Sequence, residues 1–168
     1  MLPSMPVVCE SVRDLHRSLS SVLTYADYTI ENFERFCLQS SPIEDRGAAD
    51  PTTSAVRRGR ARYYWIYPNL MLNWYEGHLD TNLVVPLGVD RTKVVFEFFF
   101  DDVGAQRRDA NRESIAVSER IQDEDVAICE SVQRGLGSRA YGAGRLSVRR
   151  EAGENLFHRL LAAYLRKG

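Results

Sequence analysis

SERIQDEDVAICESVQRGL, residues 118–136, decides how the rest of the chain is read. Wound at 3.6 residues per turn, this stretch and the residue before it place Val117, Ile121, Ile128, Val132 and Leu136 on one face, with Glu119, Asp123, Glu130 and Arg134 on the other. Asp125 falls inside the apolar face. A carboxylate turned toward a core is costly unless something positive or donating meets it, so Asp125 asks for an arginine, a histidine, a donor network or a metal ion. The helix is expected over residues 112–135, with Gly135 and Gly137 as its stop.

Outward from this helix the chain alternates like a sheet. Residues 28–38 read as one strand anchored by Ile30, Phe33 and Phe36, and residues 40–61, rich in Ser, Pro, Gly, Asp and Arg, as a long surface loop. Strands follow over residues 62–67, 69–75, 78–86 and 93–100, with turns at Pro68-Asn69 and Gly88-Val89-Asp90. Spacing this tight implies antiparallel neighbours. Residues 101–111 are a polar connection, and a last helix over residues 154–166 packs Phe157, Leu160, Leu161 and Tyr164. The expected fold class is α+β, an antiparallel sheet with one long helix across it and a C-terminal helix.

The chain has 168 residues, 44% of them hydrophobic, which suits one domain with an ample core. A formal net charge of −1 gives no electrostatic footprint for nucleic acid or an anionic membrane, and the Arg57-Arg58-Gly59-Arg60 cluster reads as a solvated loop. No run approaches the roughly 20 apolar residues of a membrane span, and the first residues carry no export or transit pattern, so a soluble intracellular protein is expected, cytoplasmic on this reading. Cys9, Cys37 and Cys129 form no C-x-x-C and no C-x-H unit, and their odd number suits a reducing compartment.

QDEDVAICESVQRGL (residues 122–136), YPNLMLNWYEGHLDTNLVVPLG (67–88), EAGENLFHRLL (151–161) and HRSLSSVL (16–23) together resemble the Rieske-type non-haem iron oxygenases. The resemblance is nearest to choline monooxygenase and its relatives acting on small quaternary amines. It implies the helix-grip, START-like catalytic domain of that family, entered partway. Residues 1–15 are unmatched, residues 16–168 make a partial mononuclear-iron domain, and the Rieske domain is absent. The family's [2Fe–2S] cluster needs paired C-x-H and C-x-x-H units, which three isolated cysteines cannot supply.

By the same resemblance Asp125 matches the carboxylate ligand of a ferrous iron held by two histidines and one acid, a facial triad with open positions for oxygen. His16 matches the second histidine of an H-x-x-x-x-H pair, whose first position falls on Ser11, leaving the site one ligand short. A helix-surface or capping role accounts for His16 without the resemblance. A quaternary ammonium is held by aromatic faces, and Tyr64, Trp74, Tyr75 and Phe98 are strand aromatics that could line such a cage, although core packing is the commoner role of aromatics in strands. Asn73 and Asp80-Thr81-Asn82 match a block that faces or supports the pocket, and turn chemistry is an alternative for them.

The implied activity is oxidation of choline to betaine aldehyde in glycine betaine synthesis, with oxygen as co-substrate and a ferredoxin-type donor supplying electrons to the whole enzyme. The family tends toward homotrimers, and a plant member of the choline branch works in the chloroplast stroma. With its ligand set incomplete, the chain is expected to be inactive alone. Two other readings stand beside this one: an iron-free binding or scaffold paralogue of the same fold, and an oxygenase or demethylase of carnitine, glycine betaine or an aromatic acid.

Overall fold

The computed structural model describes residues 27–43, 58–139, 141–148 and 150–167. Six strands form one antiparallel meander in chain order: β1 Thr29–Asn32, β2 Phe36–Pro42, β3 Arg58–Ile66, β4 Leu70–Glu76, β5 His78–Pro86 and β6 Thr92–Phe100. A short 3₁₀ turn, Ala105–Arg107, leads into the long helix α1, Arg108–Leu136, and the chain ends in α2, Ala152–Leu165.

The alternation of residues 28–38 conceals a hairpin. Asn32 pairs with Cys37, and the Phe33 N–H donates to the Phe36 carbonyl at 2.9 Å, so the expected single strand is two. The turn contains no Gly, Pro, Asn or Asp to announce it. Its two phenylalanines stack at 4.2 Å, and Phe33 is 44% exposed, so it is no core anchor. The expected loop over residues 40–61 is strand at both ends, to Pro42 in β2 and from Arg58 in β3, and residues 44–57 lie outside the described residues.

Register fixes which side chains share a face, because partners across a ladder point the same way and neighbours along a strand point oppositely. Cys37, Trp65, Met71, Asn82 and Phe96 are linked pair to pair across β2 to β6, and Tyr75, His78 and Phe100 belong to the same face. Both helices lie on it. α2 brings Phe157 edge-on to Trp65 at 5.4 Å, and α1 brings Ser114 to His78. The opposite face carries Leu38, Tyr64, Leu72, Trp74, Leu83 and Phe99, of which Trp74, Leu83 and Phe99 are 40–50% exposed.

α2 approaches the sheet through its first turn. Gly153 and Leu156 are its buried residues, while Tyr164, expected to pack, is 68% exposed. Burial in α2 is deepest in its first turn and falls to half-buried at residues 160–162. A Cβ on Gly153 would stand 2.9 Å from the Sγ of Cys37, itself 1% exposed. Burial, the nearby Glu154 charge and a weaker opposing hydrogen bond from Gln39 leave the Cys37 thiol above its ordinary pKa, so it packs as a neutral side chain. Gly153→Ala is therefore expected to destabilise the chain by about 1–3 kcal/mol, the usual cost of overpacking a closed site, read as a lowered urea midpoint at unchanged slope. An unchanged midpoint would show that the helix shifts freely.

α1 begins one turn earlier than expected and is held at its start. Its buried residues are Asn111, Ser114 and Val117, and Asn111 Nδ2 donates to the Asp102 carbonyl at 2.8 Å. Ile121 and Ile128 are half-buried, but Val132 and Leu136, expected on the core face, are 54% and 44% exposed. The apolar stripe outruns the sheet beneath it among the described residues.

Candidate functional site

Glu76 and Gly77 form the two-residue turn between β4 and β5, closed by the pairing of Tyr75 with His78. Gly77 takes φ +88°, a conformation that costs a side-chain-bearing residue about 1 kcal/mol or more. This turn delivers His78 to the helix-bearing face as the first residue of β5, and two positions on it delivers Asp80. Both are 3% exposed.

A polar chain runs through the pair. Asn73, opposite Asp80 in the ladder, donates from Nδ2 to Asp80 Oδ1 at 2.6 Å, and the Asn82 amide, turned to donate, reaches the same oxygen at 3.2 Å. Asp80 Oδ2 lies 3.7 Å from His78 Nε2, and His78 Nδ1 shares a hydrogen bond with Ser114 Oγ at 3.2 Å. The imidazole sits against the rings of Tyr75 and Phe100, at 5.6 and 4.7 Å between centroids, with Phe98 at 6.0 Å. The buried carboxylate is thus met by amide donors from Asn73 and Asn82, with the imidazole at ion-pair distance.

Asp125 lies further along α1. Eleven residues separate it from Ser114, just over three turns, so both occupy one helix face about 16 Å apart along the axis. Asp125 is half-buried beside Ile121 and Ile128 on that face. His78, committed to Ser114, stands at the other end of this stretch. An anionic oxygen donor suits ferrous iron, yet among the described residues no three His, Cys, Asp or Glu side chains come together as a metal-binding group. His16 and Ser11 lie outside the described residues. The described part of the chain therefore offers one carboxylate and not a complete iron site.

The four aromatics considered for a quaternary-ammonium cage do not share a surface. Tyr75 and Phe98 stand on the helix-bearing face; Tyr64 and Trp74 stand on the other, where Arg62 lies over the Trp74 ring at 5.2 Å. Trp74 and Tyr75 are adjacent in one strand and must diverge. The same parity brings Phe96 and Phe100 to the face of Tyr75, two residues that the sequence reading passed over.

Residues 31–167 fit the family model of the ring hydroxylating alpha subunit, catalytic domain. The chain belongs to this family. Among relatives of this ring-hydroxylating catalytic domain, a chloroplastic choline monooxygenase of Arabidopsis thaliana is 39% identical over 135 residues, covering 79% of this chain and 31% of its own. That of Spinacia oleracea is 31% identical over 144 residues, covering 85% and 32%. The chain thus spans about a third of these relatives' length. In fold it is similar to a quaternary ammonium Rieske monooxygenase studied for carnitine oxidation and inter-subunit electron transfer, with TM-score 0.72 and 21% identity over 93% of this chain and 44% of that one. A structure of the quaternary ammonium Rieske monooxygenase CntA with an inhibitor gives TM-score 0.74 at 22% identity, again over 93% of this chain and 44% of that one. As a catalytic domain of the Rieske-type oxygenase family, the chain has the expected antiparallel sheet, long helix and terminal helix, the sheet having six strands among the described residues where the sequence led to five. No helix among the described residues is long and apolar enough to cross a membrane.

Proposed function

We propose that this chain is catalytic-domain sequence of a choline-monooxygenase-like oxygenase, which oxidises choline to betaine aldehyde for glycine betaine synthesis. The observation that carries the reading is the 39% identity to the Arabidopsis enzyme over most of this chain. In the complete enzyme Asp125 and His16 would hold a mononuclear ferrous iron together with a further histidine, and a [2Fe–2S] domain outside the sequence given would feed it electrons from a ferredoxin-type donor. Iron, when bound, supplies oxygen activation. The residues of this chain hold and orient. Tyr75, Phe96, Phe98 and Phe100 give the helix-bearing face an aromatic lining that attracts a quaternary ammonium, a group unable to accept a hydrogen bond. A homotrimer and a stromal location, if the source is a plant, go with this reading.

For the 168-residue chain alone the expected result is no betaine aldehyde from choline with oxygen and reductant, followed by mass spectrometry of the product. Turnover by the purified chain would overturn the view that its site is incomplete. The substrate is tested on the natural polypeptide, captured with an antibody to residues 118–136 and offered choline, carnitine, glycine betaine and an aromatic acid. Preference for choline supports the proposal; exclusive use of an aromatic acid sinks it. Ser11, where the family has a ligand, favours a second reading, an iron-free binding or scaffold paralogue that kept the fold. A natural polypeptide that binds quaternary amines without iron or turnover would establish that alternative.

A further inference from the structure

α1 carries Asp125 but is tied to the sheet three turns earlier, where Ser114 is fully buried and meets His78. We infer that His78 is the positioning residue of the site: its Nδ1, bonded to Ser114, sets where α1 rests on the sheet and hence where Asp125 stands. The inference rests on the proposed role of Asp125 as the metal carboxylate.

Three features support it. His78 is buried, follows the Gly77 turn, and has the Tyr75 and Phe100 rings against its own and Asp80 at 3.7 Å from Nε2. Asp80 is in turn fixed by Asn73 at 2.6 Å, which keeps its carboxylate beside the ring. The buried residues of α1, Asn111, Ser114 and Val117, all lie before its midpoint, and all residues from 131 to 136 are exposed. A helix anchored near one end is aimed by its anchor, and a hydrogen bond has an orientation where Val117 supplies only burial.

The two nitrogens of His78 make separate contacts, which allows a test that a space-filling role would fail. Asparagine at 78 places an amide near the Nδ1 position and keeps a partner for Ser114; glutamine reaches toward the Nε2 position and loses it. Hydrogen exchange of the α1 amides over residues 115–128 is the readout, with β5 and β6 amides as the internal reference. His78→Gln and Ser114→Ala are each expected to speed exchange in α1 about tenfold, and His78→Asn less than about twofold, with little change in β5 and β6. Equal effects of His78→Asn and His78→Gln would overturn the inference, as would unaltered α1 exchange in Ser114→Ala. Should both His78 variants unfold, Ser114→Ala decides alone, since it removes one buried hydroxyl and leaves His78, Asp80 and the rings in place. Failure of the iron reading is seen separately, as a missing metal response to histidine at position 11, and leaves these exchange rates untouched.

Discussion

Ser11→His is expected to raise the affinity of this chain for ferrous ion by about two orders of magnitude or more, the scale on which completed ligand sets differ from deficient ones. A serine hydroxyl is a poor ligand for ferrous iron, whereas imidazole is a good one. In the family's pattern the substituted position lies five residues before His16, and the acid completing the set is Asp125. Anaerobic titration with ferrous ion measures the gain, and cobaltous ion as a spectroscopic substitute reports its geometry. Adding Asp125→Ala to the same chain is expected to abolish the gain. An affinity unmoved by Ser11→His, or a gain indifferent to Asp125, would remove the metal role from both Asp125 and His16.

His78→Ala is expected to destabilise the fold by about 3–5 kcal/mol, enough to unfold a domain of ordinary stability. Two costs combine in it. The substitution leaves a void between Tyr75 and Phe100, and it takes the imidazole away from the buried Asp80 carboxylate. Urea denaturation followed by far-ultraviolet circular dichroism measures it. Trp74→Ala provides the contrast, because Trp74 is larger but 49% exposed on the sheet face away from the helices. Its cost is expected to be several-fold smaller. If the two substitutions cost the same, the buried polar chain is not what secures this part of the sheet.

Much of this architecture was legible in the residues, and the failures have physical causes. Strands β4, β5 and β6 were found within about one residue of their bounds, because alternation there is punctuated by Pro68, Gly77 and the Gly88-Val89-Asp90 turn. The β1–β2 hairpin was missed because Phe33, Glu34 and Arg35 turn the chain with no Gly, Pro, Asn or Asp among them to mark the break. Periodicity placed Val117 and Asp125 on one helix face but cannot say how far the sheet extends beneath it, so Val132 and Leu136 were assigned burial they lack. The division of Trp74 from Tyr75 was available from strand parity alone. The contact between His78 and Ser114 was not, since it joins residues 36 apart in sequence through packing that no local pattern encodes.

Trp74, Leu83 and Phe99 on the sheet face away from the helices, and Val132 and Leu136 at the end of α1, are exposed among the described residues, and the chain spans about a third of the relatives' length. The most direct measurement is therefore the intact mass and iron content of the natural polypeptide, captured with an antibody to residues 118–136. The account predicts a product much heavier than 19.2 kDa that carries iron both as a cluster and as a mononuclear ion. A product of 19.2 kDa without iron would contradict it and leave the scaffold reading in its place.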